Sequence, residues 1–335
     1  MKRLLLYLVL GLAGGLLFTI YFDYNIKPDN CFFIKAAETG DTWVNKLRSE
    51  SDAPCYVITG GSEIRMSIDP AYMHGDSGTR MINAAGQAGF GITCNIVHGL
   101  SYLHPGDTLI VSIKHTNFVE DNISANGLKY CWRRLGLKTF GTDLIKPTAD
   151  NIGKIFQGSS GELCMYAIKR LLSPDNIYIY DKKTHIHETG WVENYHKKSI
   201  PLFSPNSQNI SNALTLPTAE AAFLETLKAE CDKRGAKLCT YFYIEYADQS
   251  LYPHAAAAAL TLTRNGIPVV RDPAMGIDSS QDSFADFVSH LSPQGSRIHS
   301  ARLGRILSSS QKFWTEEELV DILRNLGYNE QGLKQ

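Results

Sequence analysis

The sequence is short of the features that mark several common functional classes. Its 33 lysines and arginines face 34 aspartates and glutamates, for a net charge of −1, and no long block of like charge occurs. A nucleic-acid footprint or a charged interaction tail is therefore not expected. There is no C-x-x-C pair, which leaves a zinc ribbon unsupported. The seven cysteines are odd in number and spread over 335 residues, so they are not a disulfide framework. An oxidising compartment would still permit one or two bridges. Cys231 and Cys239 flank an expected helix-to-strand turn, where they read equally as a pair or as two buried thiols. No internal repeat is present. Beyond residue 23 no stretch is long and apolar enough to span a bilayer.

The N-terminus is different. Lys2 and Arg3 precede the mostly apolar run Leu4–Phe22, which Asp23 ends. At a rise of about 1.5 Å per residue, about 20 such residues cross the hydrocarbon layer. Positive charge stays on the cytoplasmic side, which puts everything after Asp23 across the membrane. A cleaved signal peptide would want a shorter apolar core and an A-x-A-like site, and "FTIYFDYN" supplies neither. The expectation is a retained, single-pass transmembrane signal anchor over 1–23. A stem over 24–51, a catalytic-type domain over 52–310 and a C-terminal helix within 311–335 would follow.

The length suits one large α/β domain or two small ones. "CYVIT" (55–59) reads as a strand running into Gly60-Gly61-Ser62. Ile92 to Leu103 has helical spacing, and "TLIVSI" (108–113) is apolar enough for a strand buried on both faces. Residues 118–215 are less periodic and read as an insertion or lid. Within them Leu163–Leu172 looks helical, "NIYIYD" strand-like and 204–212 a polar loop. Periodicity returns with a helix from Thr218 that stops at Gly235, then strand "KLCTYFYI", a helix over Ala255–Arg264 and strand "IPVV". A Thr315–Glu318 capping box starts the last helix. This alternation predicts an α/β fold with a mostly parallel central sheet and helices on both faces, a three-layer α/β/α arrangement.

Two stretches can carry chemistry. Ser62 follows the first core strand, and in a parallel sheet reactive groups gather at the carboxyl ends of strands. The glycines before it permit a sharp turn and close approach, and a serine opening a helix would aim its N–H at a developing oxyanion. Alone, Gly-Gly-Ser is mostly just a turn. The second stretch is "FADFVSHLSPQGSRI" (284–298), where Ser292 caps a helix with Pro293 at its first position. His290 then sits just outside the positive helix end, which favours a neutral imidazole able to accept a proton. Asp286, in the same loop, can orient it. In isolation this pattern too is a solvated loop with a capping serine.

Taken together, the two stretches have the chain order of the SGNH (GDSL-like) hydrolase superfamily, which the sequence resembles over about residues 52–308. "GGSEIRMSIDPAYM" resembles the first block. "NAAGQAGFG" resembles the second, whose glycine supplies an oxyanion N–H, with Gly86 the better match and Gly89 the next. "HPGDTLIVSIKHTNF" resembles the approach to the third block, where Asn117 has the address of an oxyanion donor. "IPVVRDP…FADFVSHLSPQGSRIHSARL" resembles the closing Asp/His segment. Three departures are visible: Gly61 replaces the usual Asp or Ser, the Asp286–His290 gap is one residue longer than D-x-x-H, and the G-x-N-D of the third block is missing. A missing oxyanion donor is worth about 3 kcal/mol of transition-state stabilisation.

The resemblance is to the membrane-anchored, extracytoplasmic branch, similar to polysaccharide O-acetyltransferases and the cell-wall D-alanylation protein. It implies an enzyme with Ser62 as nucleophile, His290 as general base and Asp286 as its orienting partner. Ser62, Gly86 and Asn117 would hold the oxyanion. The reaction would be acyl, expected to be acetyl, transfer on a periplasmic or cell-surface glycan through an acyl-enzyme, with no metal or organic cofactor required. Implied partners are the acylated glycan or acyl donor and the membrane. Two rivals use the same residues: an esterase or deacetylase, and a non-catalytic scaffold that binds glycan or docks a membrane acyltransferase. "HIHETGW" (185–191) lacks a third metal ligand at a telling spacing and reads as a solvated or site-rim loop. The Asn122 and Asn209 sequons matter only in a glycosylating cell. Tyr241, Phe242 and Tyr243 read as strand and core. Arg65 and Arg302 are either surface residues or contacts for an anionic substrate.

Overall fold

The computed structural model describes residues 5–15, 17, 28–114, 123–156, 184–195, 197–202 and 213–329. Four strands form the main sheet: β1 (Tyr56–Thr59), β2 (Met81–Asn83), β3 (Thr108–Ile113) and β6 (Lys237–Phe242). Their order is β2-β1-β3-β6 and every pairing is parallel. Parallel neighbours need crossover connections, and here helices supply them. The strands are buried on both faces, as their apolar runs require. Val57, Leu109, Val111, Ile113, Leu238 and Phe242 enter one core cluster. Ile58, Ile110, Cys239 and Tyr241 point the other way into a second.

Helices cover both faces. On the first lie α4 (Ile92–Leu100), α7 (Thr218–Asp232), α8 (Tyr252–Arg264) and α10 (Glu316–Asn325). The alanines 255–259 of α8 are all fully buried, their small side chains letting that helix lie deep in the core. On the second face lie α3 (Pro70–Ser77), with Met73, and α9 (Pro293–Ser308), with Leu303 and Leu307. The α/β architecture with a mostly parallel sheet is thus as expected. The capping box of α10 has both its reciprocal hydrogen bonds.

Several expectations change. "IPVV" is not a full strand: it joins the sheet by a single parallel bridge, Thr240 to Val269. The Thr240 N–H donates to the Pro268 carbonyl, and a proline has no N–H with which to extend a ladder. The expected stem is, over Pro28–Glu50 (α1), a 23-residue helix. Its Trp43 and Leu47 lie in the first core cluster, and the Trp43 indole donates to the Met81 carbonyl at 2.8 Å. Burial of one side of the helix against the core accounts for its packing. Cys231 and Cys239 are both free and buried.

The expected anchor is helical over 5–15 with its leucines exposed, and its remaining residues, except Leu17, lie outside the described residues. Among the described residues no helix is long and apolar enough to cross a membrane. In the 118–215 region, α5 (Ala125–Leu135), α6 (Ala149–Phe156) and the hairpin β4 (Thr184–Ile186)–β5 (Val192–Asn194) are described. They share a third core cluster with the first half of α1. The helix expected at Leu163–Leu172, the strand "NIYIYD", the loop 204–212, Asn122, Asn209 and Asn117 all fall outside the described residues.

Candidate active site

Ser62 opens α2 (Ser62–Arg65) directly after β1 and the two glycines. In the order β2-β1-β3 the chain leaves β1 to one side and returns across it to the other. The carboxyl end of β1 is therefore a topological switch point, the usual place for a ligand crevice. The glycines are there for space. A Cβ on Gly61 would come within 2.9 Å of the Ala88 backbone, and one on Gly60 within 2.9 Å of Ile64.

The second stretch reaches the same place because α9 packs along α3. Three bonds fasten the seam: Ser296 Oγ to the Ser67 carbonyl at 2.9 Å, Ser67 Oγ to the Ser289 carbonyl at 3.4 Å, and Asp69 N to Ser300 Oγ at 2.9 Å. Ser292 caps α9 as expected, its hydroxyl accepting from Gly295 N at 3.2 Å. A Cβ on Gly295 would sit 2.1 Å from the Ser283 carbonyl oxygen, so only glycine lets the helix start lie on this loop. The 284–291 loop is closed by Ala285 N donating to the His290 carbonyl at 2.8 Å.

Three residues picked from far-apart stretches consequently meet. Ser62 Oγ lies 3.0 Å from His290 Nε2, and His290 Nδ1 lies 2.9 Å from Asp286 Oδ1. Ser62 and His290 are 9% and 7% exposed, which shields the pair from bulk water yet leaves both at a surface. The extra residue between Asp286 and His290 does not part them. Desolvation works to raise the Asp286 pKa, but the hydrogen bond and charge of His290, then the bond from Asn194, outweigh it and hold the carboxyl below its ordinary value. An ionised Asp286 accepts Nδ1–H and leaves Nε2 as the acceptor facing the serine.

The expected oxyanion set is only partly matched. Gly86 N donates to the Gly60 carbonyl at 3.0 Å, so this N–H is spent on joining the two motif loops and is not aimed at a ligand. Gly86 is a glycine because a Cβ there would meet Asn95 Oδ1 at 2.2 Å. The 3₁₀ turn Ala88–Phe90 packs through Ala88 against Gly61, the residue before the nucleophile, while the Gly89 carbonyl accepts from the Ser124 hydroxyl at 2.8 Å. The Ser62 N–H, first in its helix, has no intrahelical carbonyl to bond. It is the donor the geometry retains, and Asn117 lies outside the described residues.

Arg65 is neither a surface residue nor a substrate contact. It is fully buried, and its guanidinium donates to the carbonyls of Asn83 at 2.9 Å, Gly190 at 3.0 Å and Ala85. It staples the nucleophile helix to the second motif and to the β4–β5 hairpin, and burial lowers its pKa. Arg302 is engaged by Asp272 at 2.9 Å and His299 Nδ1 at 2.7 Å. Tyr241 and Phe242 are buried in β6, as read. "HIHETGW" forms most of the hairpin, with Trp191 buried and bonded to the Met66 carbonyl at 3.1 Å. Among the described residues no group of His, Cys, Asp and Glu is placed to hold a metal ion.

Two residues of the site were not picked from sequence. Asn194, at the end of β5, donates to Asp286 Oδ1 at 2.8 Å. Its one signal was the rim reading of the adjoining histidine loop. Glu63 accepts from Gly61 N at 2.5 Å and fixes the turn before the serine. Desolvation pushes its carboxyl above the ordinary range, against hydrogen bonds from its own and Gly61's backbone and the nearby His290.

A hydroxyl, an imidazole and an oriented carboxylate at the carboxyl edge of a parallel sheet define a nucleophile–base–orienter site. No family model, curated protein or solved structure matches the chain.

Proposed function

We propose that this chain is an SGNH-type serine acyltransferase that moves an acyl group, acetyl as the first expectation, onto a hydroxyl of a cell-surface or periplasmic glycan. The single observation that carries this reading is the chain of contacts from Ser62 Oγ through His290 to Asp286, at 3.0 and 2.9 Å. Ser62 attacks the acyl carbonyl while its proton passes to His290 Nε2. Asp286 supports the imidazolium through Nδ1–H, and Asn194 keeps Asp286 aimed. The tetrahedral oxygen is held by the Ser62 N–H. Collapse expels the donor's leaving group with the proton from His290 and leaves an ester on Ser62. The acceptor hydroxyl then gives its proton to Nε2, attacks that ester and frees the serine. The apolar run behind Lys2 and Arg3, with Leu5, Leu6 and Tyr7 more than half exposed, supports tethering at the cytoplasmic membrane with the domain on the extracytoplasmic side.

The engaged Gly86 N–H favours a second reading, a scaffold that binds glycan or a membrane acyltransferase without chemistry of its own. One experiment separates the readings. The full chain is incubated with an activated acetyl ester, with and without glycan acceptor, beside Ser62→Ala. Transfer that falls by at least about 10³-fold in the variant is expected. Acetate as the sole product marks a hydrolase instead, and equal labelling of both proteins by a serine-directed reagent removes the nucleophile.

A further inference from the structure

The described cysteines are buried free thiols, and two of them share a seam outside the active site. Cys94, on the first turn of α4, and Cys131, on α5, are both fully buried. The Cys131 thiol donates to the Cys94 carbonyl at 3.1 Å, and the two side chains also hydrogen-bond each other. One glycine brings the helices this close. A Cβ on Gly127 would lie 1.8 Å from the Phe90 carbonyl oxygen and 2.8 Å from Cys94 Sγ. Gly127 and Cys131 are one turn apart in α5 and so share a face, which puts both sulfurs in the same narrow seam. Cys231 and Cys239 have no such arrangement: Cys231 enters the first core cluster and Cys239 the second, on opposite faces of the sheet.

What the seam joins gives the contact its consequence. Tyr130 of α5 stacks on Phe90 with ring centroids 4.4 Å apart, and Ser124, which caps α5, bonds the Gly89 carbonyl. Phe90 and Gly89 belong to the 3₁₀ turn that packs through Ala88 against Gly61, beside the nucleophile. A covalent link between Cys94 and Cys131 would fasten α5 behind that turn. A disulfide-containing oxidant balances the step. One thiol, as thiolate, attacks a sulfur of the oxidant and expels its first thiol; the other attacks the mixed disulfide and expels the second. The Cys94 Sγ–Cys131 Sγ bond forms, the oxidant's S–S bond breaks, and two electrons and two protons pass to the oxidant. Both thiols are sealed off in the folded protein, so the exchange belongs to folding, in a compartment that keeps disulfides. It rests on the extracytoplasmic placement read above.

We propose that Cys94 and Cys131 are oxidised to a disulfide as the domain folds outside the cytoplasm, clamping α5 to α4 behind the second motif. The test uses the full chain, unfolded and reduced in urea, then refolded with a mixture of glutathione and glutathione disulfide. Free thiols are blocked with N-ethylmaleimide in denaturant, and tryptic peptides are mapped by mass spectrometry without reduction. The expected product is a cross-linked peptide joining Cys94 to Cys131, two hydrogens lighter than its parts, with Cys231 and Cys239 blocked. Chain refolded in dithiothreitol instead should melt about 4 °C or more lower, a difference that Cys131→Ser lacks. Cys94 and Cys131 both blocked, either one bridged to another cysteine instead, or equal melting with and without the bridge overturns the clamp. The peptide map is read on the parent chain, so it stands even where Cys131→Ser folds poorly. The same map on chain blocked inside intact cells separates this failure from that of the placement. A pair that bridges in the glutathione mixture but is blocked as free thiols in cells keeps the link and removes the extracytoplasmic location.

Discussion

Among single residues, Asp286 decides by its orientation whether the imidazole can serve the serine. Its Oδ1 takes two hydrogen bonds, from His290 Nδ1 at 2.9 Å and Asn194 Nδ2 at 2.8 Å, and both favour the ionised form. Asn194 is thus a positioning residue, acting through another side chain. Asn194→Asp is the sharpest probe of that role, because it adds a negative charge with almost no change in shape. Two carboxylates would then compete at one contact, and a like charge disfavours ionisation. The Asp286 carboxyl, now held below its ordinary value, should move up, and the acid limb of the kcat profile should move to higher pH. Asn194→Ala removes the bond without adding charge and should lower kcat with a much smaller displacement of that limb. Profiles that superimpose for Asn194→Asp and the parent would show that Asn194 only packs.

Among the elements, what holds the site is how α9 begins and not the strength of any one contact. Ser292, Pro293 and Gly295 set that start: a cap, a ring that fits the first turn, and the absence of a Cβ that would meet the Ser283 carbonyl at 2.1 Å. Gly295→Ala forces backbone against backbone and should cost about 1–3 kcal/mol of stability by overpacking, measured by urea denaturation. The same shift would draw the 284–291 loop away from α2 and lower kcat, because His290 rides on that loop. An unchanged midpoint would mean that the helix start has slack. The cap and the proline were legible in the sequence, since each answers to a local rule. The glycine's purpose was not, because it concerns the carbonyl of Ser283, earlier in the chain and met only after folding. Gly86 makes the same point in the opposite sense. Its motif suggested an oxyanion donor, whereas its N–H closes onto Gly60 and its missing side chain makes room for Asn95.

For the molecule as a whole, the strands and helices around the sheet were readable because each carries its own period, as in β3 and α7. Asn194 and α1 were not, since a polar residue in an aperiodic region and a helix after an apolar run reveal their roles only through tertiary packing. The same packing sets the acid limit of the fold. Glu230 on α7 accepts from Lys233 at 2.8 Å, Arg234 at 2.6 Å and Asp143 N at 3.2 Å. Asp278, in the short strand Ile277–Asp278, accepts from His299 at 3.0 Å and Ser280 N at 2.8 Å. Desolvation opposes both shifts, but these bonds prevail and bring each carboxyl down to about 2, from ordinary values of 4.5 and 3.8. A carboxylate whose pKa is depressed on folding stabilises the native state fully above its unfolded value and loses that contribution as pH falls through its folded one. These two carboxylates should therefore make the urea midpoint fall progressively as pH drops between about 4.5 and 2. Glu230→Gln should lower the midpoint at neutral pH, where the ion pairs are lost, and flatten its decline over that window. A decline as steep as the parent's would mean that Glu230 and its cations are not what acid dismantles.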